Sequence, residues 1–392
     1  MNRDARSFEF RSHTRLVAGA GGISRLGDLA RELGGTRVLV TSDPGIVRAG
    51  HTAAGLAALE SAGIATTVFS GFAENPSTAD IDAGLAVARE FRPDLLVGLG
   101  GGSSMDCAKG INFLLSCGGR MQDYRGRHTA TGPMLPSIAV PTTAGTGSET
   151  QSFALISDAD TGLKMACGDP RAAFRIAVLD VNLTLTQPAG VTALTGIDAV
   201  SHAVESHVSL AATPASRLFS REAWRLLAES LPAVFRNGQD VAAREAVQLG
   251  AAWAGLAIEN SMLGAAHALA NPLTAVHHIV HGQAVGVMLP HVVRFNGPAC
   301  GHWYAELLRD VGIEVDAAAA ADRLAVWLAD LVTASGLRTS LGDLGVAVPA
   351  ASGTSATATV DLAALATTQW TGGFNPRPVS TAEFASLYLA AR

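Results

Sequence analysis

Residues 94–109 read DLLVGLGGGSSMDCAK. The apolar run predicts a strand over 94–99, and the residues from about Ser104 to Leu115 predict a helix. Between them stand Gly100, Gly101 and Gly102, followed by Ser103. Glycines let a backbone approach a pyrophosphate closely, and the amides of a new helix's first turn point at it. A tight strand-to-helix turn usually needs one glycine; three in a row make phosphate binding the better reading.

Outward from this junction, strands are predicted at 37–41, 65–69 and 137–140, with helices at about 51–62 and 80–91. Strands alternating with helices imply a parallel sheet covered on both faces, with ligands beyond the carboxyl ends of its strands. Two further features sit at such ends. The segment PTTAGTGSE (141–149) is dense in the hydroxyls and glycines that suit ribose and phosphate. Asp43 closes the first of these strands, where an acid accepts from ribose hydroxyls and repels a 2′-phosphate, although aspartate is also an ordinary turn residue. The glycines follow a later strand than in the GxGxxG fingerprint. The unit is therefore Rossmann-like without being a standard Rossmann domain.

The chain has 392 residues, enough for two cores, and a formal net charge of -6 with no long basic run. Nucleic acid and anionic membrane surfaces are therefore not expected as partners. The first 13 residues lack an apolar leader segment. The uncharged span 260–293 is long enough to cross a bilayer, but four histidines before His291, two prolines, Gln283 and two asparagines interrupt it, so no membrane span is expected. Cys107, Cys117, Cys167 and Cys300 are scattered without a CxxC pair, as in a reduced, cytoplasmic protein.

Past Gln187 the strand-like runs end. The rest predicts helices at about 191–209, 215–233, 241–270, 317–334 and 381–391, so the domain boundary is placed there: 1–187 as an α/β nucleotide-binding domain and 188–392 as an all-helical domain. Of the 11 histidines, four (His267, His277, His278 and His281) fall within residues 263–287, and no Asp, Glu, Lys or Arg lies between Glu259 and Arg294. Imidazoles in so apolar a background are either hydrogen-bonded core residues or metal ligands. Asp198 and His202, four apart on a predicted helix, share one face and could hold an ion or simply pair with each other. On one straight helix His267 and His281 would stand roughly 21 Å apart. For both to reach one ion the chain must double back, with Asn271-Pro272 as the expected break and Gly282 permitting a close approach. Asp198, His202, His267 and His281 would make a three-nitrogen, one-oxygen site suited to Fe(II) or Zn(II).

Together with Lys164, TGIDAVSHAVE (195–205), AAHALANPLTAVHHIVHG (265–282), LPHVVRFN (289–296) and FNPRP (374–378), these strings resemble the iron-containing (group III) alcohol dehydrogenases of dehydroquinate-synthase-like fold. The resemblance covers nearly the whole chain. It implies a Rossmann-like parallel-sheet domain followed by a helical metal-binding domain, with the active site in the cleft between them. It puts Asp198, His202, His267 and His281 on metal positions. It puts Gly100, Gly101, Gly102, Ser103, Asp106, Thr142, Thr143, Thr146 and Lys164 on cofactor positions, with Asn75 near the adenine–ribose half and Asp43 on the acid that selects NAD(H) over NADP(H). Many members carry a histidine four residues after the third ligand; here it is Asn271, which cannot shuttle a proton. His277 or His278 could take that part or be structural, and Asn271 and His277 are the substrate-pocket candidates.

The expected activity is metal-dependent hydride transfer between a nicotinamide and a small alcohol or aldehyde, by a cytoplasmic homo-oligomer, in the simplest case a dimer. The alternatives are reduction of an anionic substrate (maleylacetate-type or a phosphonoaldehyde) and a dehydroquinate-synthase-like lyase, for which the lysine-poor helical half is badly equipped. A non-catalytic NAD sensor would have no reason to keep four metal ligands.

Overall fold

The computed structural model describes residues 7–348 and 361–392. The leader reading over the first 13 residues thus lies partly outside the described residues. The described residues divide into two compact units, Arg11–Gln187 and Pro188–Arg392, the latter together with residues 7–10.

The first unit carries strands β1 (Arg15–Ala18), β2 (Arg37–Thr41), β3 (Ala65–Phe69), β4 (Leu95–Gly100), β5 (Gly126–Arg127), β6 (Ser137–Pro141), β7 (Phe153–Ser157), β8 (Lys164–Gly168) and β9 (Ile176–Leu179). Its helices are α1 (Leu26–Glu32), α2 (Pro44–Arg48), α3 (His51–Ser61), α4 (Thr78–Phe91) and α5 (Gly102–Cys117). Six strands form one parallel sheet in the order β1-β9-β6-β4-β2-β3, and β5, β8 and β7 form a small second sheet. Central β4 is buried along its whole length, as its unbroken apolar run requires between two covered faces. The register pairs Gly100 with Pro141, which sets the ends of β4 and β6 side by side. Asp94 stays outside β4; its carboxylate instead accepts from the Thr36 and Arg37 amides, tying the start of β4 to that of β2.

The second unit is helical: α6 (Ala189–Val208), α7 (Pro214–Arg236), α8 (Val241–Glu259), α9 (Ala265–His277), α10 (His281–Asp310), α11 (Ala320–Ala334), α12 (Leu362–Thr367) and α13 (Thr381–Ala390). Two expectations need correction. The helix expected over 241–270 is two helices, parted at Asn260–Gly264, where Gly264 leaves helical geometry with φ −134° and ψ −144°. Nor does Asn271-Pro272 turn the chain. Pro272 sits inside α9, buried against its neighbours, and the helix runs on to His277. The stop comes at His278, which takes the left-handed conformation (φ 56°) while the His278 and Ile279 amides donate back to the Thr274 and Leu273 carbonyls. Packing of the apolar face evidently outweighs the one backbone bond that proline removes. Among the described residues, no helix is long and apolar enough to cross a membrane.

Candidate metal centre and nucleotide cradle

Helix α6 presents Asp198 and His202 one turn apart, α9 contributes His267, and His281 is the first residue of α10. The doubling-back of the chain over 278–280 brings the last two together. Their ring centroids lie 5.2 Å apart, and the His202 ring stacks on that of His267 at 5.0 Å. The Nε2 atoms of His202, His267 and His281 lie 3.3, 3.6 and 3.8 Å from one oxygen, Asp198 Oδ1. The donor atoms of Asp198, His267 and His281 all fall within 4.8 Å of one another. Donors bonded to a common ion at about 2.0–2.2 Å stand roughly 3–3.5 Å apart, so the spacing fits a shared cation. Asp198 Oδ1 and His267 Nε2 are buried without a hydrogen-bond partner among the described residues, a costly state for polar atoms unless an ion satisfies them. Three neutral nitrogens and one carboxylate suit Fe(II) or Zn(II) and leave a divalent ion net positive.

Burial alone would raise the Asp198 carboxyl, but the imidazoles of His202, His267 and His281 outweigh it and hold it well below the usual carboxylate range. Glu205, one further turn along α6, anchors the site from behind. Its Oε2 lies 2.6 Å from His267 Nδ1, and its Oε1 accepts from the Ala266 amide at 2.7 Å. A carboxylate only accepts, so Nδ1 carries the proton and Nε2 keeps its lone pair for the centre. Burial opposes protonation of His267, yet Asp198 and Glu205 together push its pKa up to about 9, so near neutral pH an ion must displace the proton on Nε2 before that nitrogen offers its lone pair. Glu205 was within reach of sequence reasoning: it lies seven residues after Asp198, on the same helix face. At Gly282 a Cβ would stand 2.1 Å from the Leu194 carbonyl oxygen, so glycine is what lets the start of α10 lie against α6.

Asn271 follows His267 by one turn of α9 and donates through Nδ2 to Gln369 Oε1 at 3.0 Å. His277 is exposed at the last residue of α9, and His278 serves as its left-handed cap.

In the first unit, Gly101 caps α5 without any side-chain bond; the Ser104 amide donates to the Gly101 carbonyl, and the Gly102 and Ser103 amides have no partner among the described residues. A Cβ on Gly102 would stand 2.9 Å from Thr146, and Thr142 donates its amide to the Gly100 carbonyl at 3.0 Å. The loop after β6 therefore lies directly on the glycine turn. The Thr142 and Thr143 hydroxyls are buried without a hydrogen-bond partner among the described residues, as expected of groups shaped for a ligand. Asn75 (φ 56°) donates its amide to Ser103 Oγ at 3.1 Å and accepts from Lys164 Nζ at 3.0 Å, so these three residues stand together. Asp43 caps α2, accepting from the Gly45 and Ile46 amides, and its other oxygen lies 3.3 Å from Ser104 Oγ.

Asp106 is buried and accepts from Ser148 Oγ at 2.7 Å. Burial raises its carboxyl against the opposing pull of Lys109. Lys109, not singled out from the sequence, is almost wholly buried; its ammonium donates to the Ser148 carbonyl and hydroxyl and to the Phe153 carbonyl. Asp106 and Lys109 thus pin the 141–149 loop to α5. Lys109 closes the string that begins at Gly100, three residues after Asp106, and that was the available signal.

Comparison with known proteins agrees with this geometry. Residues 13–181 match the model of the iron-containing alcohol dehydrogenases, and residues 192–392 match that family's C-terminal domain. The chain is 34% identical over 333 residues to the NAD-dependent methanol dehydrogenase of Bacillus methanolicus, covering 84% of this chain and 87% of that protein. It is likewise 34% identical over 333 residues to the 1,3-propanediol dehydrogenase of Klebsiella pneumoniae, covering 84% and 86%. A crystal structure of a 1,3-propanediol oxidoreductase superposes with a TM-score of 0.93 at 32% identity, over 99% of this chain and all of that one. The chain belongs to the iron-containing alcohol dehydrogenase family and is an oxidoreductase acting on CH–OH groups, with small alcohols and the corresponding aldehydes as its substrates.

Proposed function

We propose that Asp198, His202, His267 and His281 hold one Fe(II) or Zn(II) ion, and that the Gly100–Ser103 turn with Thr142, Thr143 and Thr146 holds the phosphates and ribose of NAD(H). The observation that carries this reading is the convergence of three histidine Nε2 atoms on Asp198 Oδ1, at 3.3–3.8 Å. When bound, the ion supplies Lewis-acid polarisation of the substrate oxygen and the nicotinamide supplies or accepts hydride. The protein's own part is positioning. Glu205 fixes the His267 tautomer. The single negative charge of Asp198 keeps the site electrophilic, and the uncharged segment from 260 to 293 leaves a wall suited to a neutral substrate. Asn75, Lys164 and Asp106 are assigned to the cofactor side, and Asp43 to selection of NAD(H) over NADP(H). Asn271 and His277 are assigned to the substrate pocket.

The same proposal makes the protein a cytoplasmic homodimer. Four free cysteines, three of them buried, support a reducing compartment, and burial pushes the Cys167 thiol up to about 12. Strand β1 ends the large sheet as an edge whose backbone groups a second copy could meet. A screen of NADH oxidation across neutral, carboxylated and phosphonylated aldehydes, with bound metal measured on the same sample, tests the reading. Turnover of neutral aldehydes by metal-loaded protein is expected; turnover confined to anionic aldehydes would replace it with the anionic-substrate alternative.

A further inference from the structure

We propose that Gln369 is a positioning residue that turns the Asn271 amide so that its oxygen receives a second, uncharged hydroxyl of the substrate. The proposal rests on the reading that the substrate's reacting oxygen lies at the His267 centre.

Asn271 lies four residues after His267 on α9, on the same face and about 6 Å further along the axis. Which end of its amide is available follows from a short chain of hydrogen bonds. The Leu365 carbonyl receives the Gln369 Nε2 group at 3.4 Å. That leaves Gln369 Oε1 turned to Asn271, and an acceptor there requires a donor, so Asn271 presents Nδ2 at 3.0 Å. Asn271 Oδ1 is then the oxygen with no partner among the described residues, on a side chain that is only partly buried.

Two neighbouring hydroxyls share this condition. Thr274, one turn on from Asn271, and Thr371, two residues beyond Gln369, each have a buried Oγ1 without a hydrogen-bond partner among the described residues. The short 3-10 helix Trp370–Phe374 packs on α9, and a Cβ on its Gly372 would stand 3.5 Å from the Ala268 Cβ. The Thr274 and Thr371 hydroxyls and the Asn271 amide oxygen are groups open to a neutral hydrogen-bonding partner, and the stretch from 260 to 293 that supplies Asn271 and Thr274 contains no lysine or arginine. A carboxylate, sulfonate or phosphonate would bring a second acceptor against the Asn271 oxygen. A short diol, or the matching hydroxyaldehyde, offers a hydroxyl proton instead.

The test compares 1,2- and 1,3-propanediol with 1-propanol in the wild type, Gln369→Leu and Gln369→Glu, reading kcat and KM separately. Binding to the NAD-loaded protein is followed in parallel through tryptophan fluorescence. The wild type should favour a diol about tenfold, expressed in KM, as one added hydrogen bond allows. Gln369→Leu should bring the diol-to-alcohol ratio to near one. Gln369→Glu, which keeps an acceptor facing Asn271 Nδ2, should restore it. A wild-type ratio near one, or a ratio that Gln369→Leu leaves intact, overturns the subsite even if turnover is normal. Gln369-dependent diol binding without any turnover would instead overturn the proposed function and leave the subsite standing, while absence of both overturns both.

Discussion

His267 Nδ1 lies 2.6 Å from Glu205 Oε2, and the same carboxylate holds the Ala266 amide through its other oxygen. One buried acid thus fixes both the ring of His267 and the start of the helix that carries it. Partners of this kind are worth about 10–100-fold in metal affinity. Glu205→Gln, which keeps a single acceptor oxygen, should weaken the ion about tenfold in a chelator competition, and Glu205→Ala should weaken it further. Unchanged affinity in both variants would mean that His267 is not held for a metal.

Gly282 tests the same centre through the backbone. Its missing Cβ makes room for the Leu194 carbonyl, which an alanine would meet at 2.1 Å. Gly282→Ala should cost roughly 1–3 kcal/mol by overpacking and shift His281, the neighbouring residue. Thermal unfolding should show a lowered midpoint, and metal analysis a substoichiometric ion.

The nucleotide cradle makes a separate prediction. Gly102→Ala puts a methyl 2.9 Å from Thr146, between the first turn of α5 and the loop after β6. NADH fluorescence titration should show binding weakened tenfold or more, with metal content at the wild-type level. Loss of metal together with NADH would mean global damage and not a cradle defect.

Glu149 gives a pH dependence. It is buried at the end of the 141–149 loop, and burial, opposed by its own amide and by Lys109, pushes its pKa up from 4.5 to about 7. The folded protein therefore binds this proton more tightly than the unfolded chain. The stability it contributes is fully present below pH 4.5 and is lost as pH rises to about 7, by as much as ~3 kcal/mol. Denaturant unfolding of the ion-free protein should show this decline, and Glu149→Gln should flatten it and gain over wild type above pH 7. An identical pH profile in the variant would exclude Glu149 as its source.

The parts legible in the sequence were those written as local pattern. The apolar runs of β2, β3, β4 and β6 and the glycines after β4 each announce themselves within a few residues. Five strands did not. β1 and β9 are four residues each, and β5, β7 and β8 make a small second sheet whose pairing depends on distant partners. Proline at 272 misled because its local cost is real but smaller than the packing that holds α9 straight through it. The break that mattered, His278, has no strong local signature, since histidine tolerates the left-handed conformation better than most residues but still adopts it in only a minority of cases. Gln369 was missed because it acts through the Asn271 side chain from a distant segment, a relationship that residue spacing on one helix does not reveal, whereas Glu205, seven residues after Asp198 on the same helix face, had that spacing as its signal.

Four side chains of the helical unit, Asp198, His202, His267 and His281, are proposed to hold a catalytic ion. Metal content and NADH oxidation with a short aldehyde, measured together on wild type and on the His267→Ala, His281→Ala double variant, test this most directly. One Fe(II) or Zn(II) per wild-type chain is expected, with activity lost to a chelator and restored by the ion, and neither ion nor activity in the variant. Undiminished NADH oxidation by a metal-free double variant would contradict the account.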